Sequence, residues 1–156
     1  MGTEIERKFL VIDPSVVDGL TGTVIRQGYL SRVPERTVRI RRKGDRGVIT
    51  IKGASSGASR SEWEYEIPAA DADAMLDICE GAVVDKIRYL IDVAGRTWEV
   101  DVFAGANAGL VMAEVELDRE DAVVELPDWA GLEVTDDPRY YNASLSRHPM
   151  PGDATR

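Results

Sequence analysis

Charged residues recur two positions apart in this chain, mostly in like-charged sets: Glu4, Glu6 and Lys8; Arg39, Arg41 and Lys43; Thr50 and Lys52; Glu62, Glu64 and Glu66; Lys86 and Arg88; Glu99 and Asp101; Glu114 and Glu116. In a β-strand, residues two apart share a face and lie about 7 Å from each other. Glu4 and Glu6, brought beside Glu114 and Glu116, would make an oxygen-rich cluster suited to a hard cation such as Mg²⁺ or Mn²⁺. Zinc is a poor match, because the chain holds one histidine, His148, and one cysteine, Cys79. The basic sets, Arg39, Arg41, Lys52, Lys86 and Arg88, are the complementary half. Two oppositely charged walls with a divalent cation between them fit a polyphosphate, whose oxygens can bridge metal on one side and guanidinium on the other.

These residues need strands to position them, and period-two alternation predicts strands near 3–12, 23–33, 36–43, 47–53, 60–67, 83–93, 96–103 and 110–118. Lys43-Gly44-Asp45-Arg46-Gly47 and Ala94-Gly95 read as hairpin turns, so neighbouring strands should be antiparallel. The stripe Ala72, Met75, Leu76, Cys79 predicts a helix between Pro68 and Gly81, opened by Asp71 as N-cap and closed by Gly81. A second helix is expected over 136–147, with Pro138 in its first turn. Ala54 to Ser59 reads as a mobile loop, and the tail from 149 to 156 as loose.

The opposite strand faces are largely apolar: Phe9, Ile40, Ile49, Trp63, Tyr65, Trp98, Val100, Val115. An antiparallel sheet with one solvated face gives the same alternation, so alternation alone leaves both readings open. Two features favour an inward charged face. Like charges on one face repel and add nothing to stability, and the planar guanidiniums of Arg39, Arg41 and Arg88 suit phosphate recognition. The expected fold is therefore mainly β, an eight-stranded antiparallel barrel closed around a charged lumen, with a few flanking helices. Its apolar outside would need covering by the helices, by the C-terminal segment or by a second copy in a homodimer.

The 156 residues predict one domain, placed at 1–148. A net charge of −9 argues against nucleic acid or an anionic membrane as partner, so any polyanion must be held locally. A lone Cys79, read as a packing residue, suits a reducing cytosol, and neither a signal peptide nor a membrane-spanning apolar run is evident.

In this order the motifs resemble the triphosphate tunnel metalloenzymes of the CYTH superfamily, over nearly the whole chain. Glu4-Ile5-Glu6-Arg7-Lys8-Phe9 is similar to the ExExK signature, and Val38-Arg39-Ile40-Arg41, Ile51-Lys52-Gly53, Glu62 to Ile67, Asp85 to Tyr89, Trp98 to Phe103 and Ala113 to Leu117 follow. Glu133-Val134-Thr135 and Tyr140-Tyr141-Asn142 look like the end of the short bacterial members. The resemblance implies a tunnel, divalent metal and action on a triphosphate. It implies Glu4, Glu6 and Glu116 as metal ligands, with Glu114 and Asp101 at a second metal or positioning water. It also implies Lys8, Arg39, Arg41, Lys52, Lys86 and Arg88 as the phosphate clamp, and a Tyr29 to Lys52 hydrogen bond near the leaving phosphate. Hydrolysis of inorganic triphosphate to phosphate and pyrophosphate is the leading expectation, since no added domain is present to hold a nucleobase. Thiamine triphosphatase is the near alternative. A class IV adenylate cyclase is disfavoured because that family carries a His-Phe pair in its N-terminal half and this chain has no histidine before His148. A non-catalytic polyphosphate-binding module is disfavoured because carboxylates would only repel its ligand, and RNA 5′-triphosphate processing by the chain's small size and acidity.

Overall fold

The computed structural model describes residues 5–56 and 59–150. The strands are β1 (Ile5–Val11), β2 (Thr23–Ser31), β3 (Arg36–Lys43), β4 (Arg46–Ser56), β5 (Ser59–Ile67), β6 (Glu80–Val93), β7 (Arg96–Ala104), β8 (Val111–Leu117) and β9 (Ala130–Glu133), with helices α1 (Ala69–Leu76) and α2 (Asn142–Arg147). They form one antiparallel sheet in the order β5-β4-β3-β2-β6-β7-β8-β1-β9. Both expected hairpins are present, with Lys43 opposite Arg46 and Val93 opposite Arg96. Their tips use left-handed backbone, Gly44 at φ 59° and Ala94-Gly95 at 51° and 82°, which matches the twist of the strands.

The closed eight-stranded barrel is corrected to an open sheet of nine strands, with β5 and β9 at its edges. The reason lies in β9, which has no alternating signature of its own. It pairs with β1, Phe9 opposite Glu133 and Val11 opposite Ala130, and so occupies the edge of β1 that closure onto β5 would need. Arg7 locks this pairing with a two-pronged ion pair to Glu133, at 2.9 and 2.7 Å. The sheet nonetheless curls, bringing side chains of β5 and of β1 and β8 to one cavity.

Other boundaries moved. The first helix stops at Leu76, and Gly81 lies inside β6 at φ 68° beside Arg32 rather than capping the helix. The second expected helix is broken by extended Tyr141 into a 3₁₀ turn, Pro138–Tyr140, and α2. The expected loop at 54–59 is largely strand, since β4 runs to Ser56 and β5 starts at Ser59. Of the tail expected to be loose, residues 151–156 lie outside the described residues; the Met150 N–H before them donates to Asn107 Oδ1 at 2.8 Å.

The apolar outer face is covered by the chain's own elements in two places. Helix α1 lays Ala72 and Leu76 on Ile40, and approaches so closely that a Cβ on Gly47 would sit 2.9 Å from that of Ala72. Cys79 packs at this cluster, as expected, and donates to the Met75 carbonyl. Around β1, β7 and β8, Phe9, Trp98, Val100, Ala113 and Val115 are covered by Val16, Val17, Val124 and Trp129. The ring of Trp98 lies 5.5 Å from those of both Phe9 and Trp129, contacts that add about 1 kcal/mol each beyond burial. A third cluster, Val84, Phe103, Leu110, Met112, Tyr140 and Leu145, places α2 across one end of the inner face. No helix among the described residues is long and apolar enough to cross a membrane.

Candidate active site

Strand parity brings the charged sets together. A cavity of about 480 Å³ is lined by Glu6 of β1, Tyr29 of β2, Arg39 and Arg41 of β3, Lys52 of β4, Glu62 and Glu64 of β5, Arg88 of β6, Glu99 of β7 and Glu114 and Glu116 of β8. Tyr141, Asn142 and Ala143 complete it from the start of α2. A smaller cavity of about 150 Å³, lined by Tyr29, Arg32, Thr37, Arg39, Thr50, Lys52 and Ala143, shares four of these residues.

The acidic wall follows from the β1–β8 register, which sets Glu6 opposite Glu116 and Lys8 opposite Glu114. Glu6 and Glu116 are exposed, whereas Glu114 and Lys8 are buried. Lys8 Nζ lies 3.6 Å from Glu114 Oε1 and 5.0 Å from the centre of the Tyr141 ring, so this lysine neutralises the deep end of the acidic wall. Glu99 stands opposite Glu114 on the other side. Glu4 lies outside the described residues.

The basic wall is crowded. Burial, and then repulsion from Arg39 and Arg88, lowers the pKa of the Arg41 guanidinium to about 10, while its Nε donates to the buried Gln27 Oε1 at 2.7 Å. Arg39 donates to Thr50, which donates to Glu64 at 3.1 Å. Guanidiniums packed against one another in this way make a site whose charge an anion would relieve. Burial raises the pKa of the Tyr29 hydroxyl, against the pull of Arg39, Arg41 and Arg32. Lys52, its expected hydrogen-bond partner, lines both cavities with it, as does Arg39.

Two expected residues take different places. Lys86 does not line either cavity: its side chain is fully buried, with Nζ 2.7 Å from Asp101 Oδ2. Asp101, expected at a metal, instead spends both oxygens on cations, accepting from Arg88 Nε and Nη2 at 2.8 and 2.9 Å as well as from Lys86. Burial alone would raise the Asp101 pKa, but Lys86 and Arg88 outweigh it and hold it at about 2. Burial lowers that of Lys86 to about 8 despite Asp101. For Arg88 the pull of Asp101, Glu99 and Glu114 overcomes burial and raises it.

Sequence reasoning did not assign Glu62, Glu64, Glu99, Arg32, Gln27, Tyr141 or Asn142 to the site. For Glu62, Glu64 and Glu99 the signal was present, since they share the parity of the assigned residues. Gln27 has the parity of Tyr29. Tyr141 and Asn142 have no periodic signal, because only the folding of the C-terminal segment back across the sheet brings them in.

Among the described residues, no three His, Cys, Asp or Glu side chains converge as a ready cation cage. The opposed pair Glu6 and Glu116, with Glu114 beside it, still fits Mg²⁺ or Mn²⁺. Such ions are commonly held by one or two carboxylates, with waters and substrate phosphate oxygens filling the remaining positions.

Comparison with known proteins agrees with this arrangement. The CYTH domain model matches residues 2–145. An inorganic triphosphatase of Acetivibrio thermocellus is 48% identical over 96% of each chain. One of Nitrosomonas europaea is 40% identical over 92% of this chain and 97% of its own. The crystal structure of the inorganic triphosphatase NE1496 superposes with a TM-score of 0.74 at 38% identity, covering 97% of this chain and 99% of that one. With the family model spanning most of the sequence and the curled, charge-lined sheet in place, the chain belongs to the CYTH domain family.

Proposed function

We propose that this protein is a divalent-metal-dependent inorganic triphosphatase that hydrolyses triphosphate to pyrophosphate and phosphate, working in a reducing cytosol. The observation that carries the reading is one cavity with Glu6, Glu114 and Glu116 on one wall and Arg39, Arg41, Lys52 and Arg88 on the other. The inorganic triphosphatases among its relatives match its sequence over nearly their whole length, and the one of known structure matches its fold.

In this reading Arg39, Arg41 and Arg88 grip the phosphate oxygens and hold the chain of phosphates in line. Their mutual repulsion is relieved by the substrate's negative charge, so ligand binding and wall stability are coupled. A Mg²⁺ or Mn²⁺ ion held by Glu6 and Glu116, with Glu114 beside them, would supply charge neutralisation on the transferring phosphoryl group. Glu114 or Glu116 orients a water opposite the bridging oxygen and accepts its proton. The water oxygen bonds to the terminal phosphorus, the P–O bond to the bridging oxygen breaks, and pyrophosphate leaves with the electron pair. Lys52, at the smaller cavity with Tyr29 and Arg32, offsets the charge on the departing group. Lys8 sets the charge at Glu114.

The test is a phosphate-release panel with triphosphate, pyrophosphate, ATP and thiamine triphosphate, each with Mg²⁺, with Mn²⁺ and with chelator. Metal-dependent release from triphosphate well above the others is expected. Higher turnover of thiamine triphosphate or ATP would reassign the substrate, and no release from any of them would overturn the reading.

A further inference from the structure

The Lys86 and Asp101 pair is almost wholly removed from water, with side-chain exposures of 0% and 4%. A buried ammonium must find partners for its donors, or the uncompensated charge costs several kcal/mol. Asp101 Oδ2 is one partner at 2.7 Å, and the Phe103 ring covers Nζ at 5.4 Å. A further acceptor, Asn142 Oδ1 at 3.1 Å, comes from outside the β-sheet, from the first turn of α2. Because Lys86 can only donate, the amide of Asn142 must present its oxygen there.

On its other side Asp101 holds Arg88 through Nε and Nη2, and Arg88 Nη1 reaches Glu99 at 2.6 Å. Arg88 lines the cavity and Lys86 does not. Three consecutive polar contacts therefore connect Asn142 to a guanidinium at the anion site. We propose that Asn142 is a positioning residue: by holding Lys86 against Asp101 it aims the Arg88 guanidinium into the cavity. Asn142 also lines the cavity, but its amide oxygen is turned to Lys86, and its effect on phosphate runs through Arg88. This rests on the triphosphatase reading of the same cavity, and makes α2 a working part of the site as well as the cover of its end.

The deciding experiment is a double-mutant cycle on the full chain with tripolyphosphate as probe. It reads kcat/KM with saturating Mg²⁺ and, separately, affinity by calorimetry with chelator present. Asn142→Leu removes the acceptor, and is expected to weaken both quantities ten-fold or more. In an Arg88→Ala background the same change should cost less than two-fold in affinity. Asn142→Gln, which keeps a neutral amide oxygen for Lys86 and adds no charge to the anion site, should recover most of the loss seen with leucine. Asn142→Ser, whose hydroxyl is too short to reach Lys86, replaces the leucine variant if that fails to fold. Equal losses in both backgrounds overturn the proposal, because they mean direct phosphate contact or general loss of structure. So does a leucine variant of unchanged affinity. A wild-type chain that neither binds nor hydrolyses tripolyphosphate overturns the triphosphatase reading first, and this proposal with it. An active wild type with additive losses overturns this proposal alone.

Discussion

Glu6 and Glu116 face each other directly across the β1–β8 ladder, two carboxylates with no residue between them in the register. Like charges directly opposite in a sheet repel each other, and a divalent cation held between them would offset that repulsion. Replacing either by Gln should lower hydrolysis of triphosphate by about a hundred-fold or more, equivalent to ~2.7 kcal/mol of barrier. Full activity in either variant would remove the pair from the metal site. Calorimetric titration with Mg²⁺ or Mn²⁺ should show weakened binding in the same variants.

Arg41 is crowded by Arg39 and Arg88, so removing one guanidinium relieves repulsion among them while taking a charged donor from the substrate. Either alanine variant should raise KM or lower kcat by about ten-fold, consistent with roughly 1.5 to 3 kcal/mol for a hydrogen bond to a charged group. Steady-state kinetics on triphosphate measures this. Changes below two-fold in both variants would argue that phosphate binds elsewhere.

Tyr29, Lys52 and Arg39 line the smaller cavity together, and the charge of Arg39 bears on the tyrosine hydroxyl. Lys52→Ala should lower kcat severely. Tyr29→Phe should act mainly through Arg39, raising KM more than it lowers kcat. A Tyr29→Phe variant whose kcat collapses like that of Lys52→Ala would restore the direct link between tyrosine and lysine.

Acid should weaken the fold through Asp101. Its folded pKa of about 2 lies below its ordinary 3.8, so its contribution is complete above pH 3.8 and is lost as pH falls through 2. The size is about 2 kcal/mol, from a shift of nearly two pKa units at a buried site. Glu133 is depressed in the same direction by Arg7, but it is well exposed and should contribute far less. Denaturant unfolding between pH 6 and pH 2 should therefore show an acid loss that persists in Glu133→Gln. If the loss disappears in that variant, it originates at the β1–β9 clamp instead.

The strand set, the two hairpins and the inward face of Glu6, Arg39, Arg41, Lys52, Arg88, Glu114 and Glu116 were legible in the sequence. Strand parity is a local property: once the backbone is extended, residue types two apart must share a face whatever the rest of the chain does. The tertiary structure alone decided three other things. Sheet closure depended on Ala130–Glu133, four residues whose strand conformation exists only because β1 offers an edge and Arg7 a partner for Glu133. The separation of Arg88, at the cavity, from Lys86, buried behind it, could not come from a shared parity, because parity gives the face and not the position along the strand relative to the covering α2. Tyr141 and Asn142 entered the site because the apolar side of α2 packs on Val84, Phe103 and Met112, far from it in sequence. Long-range burial chooses such contacts, and a residue's near neighbours along the chain carry no record of them.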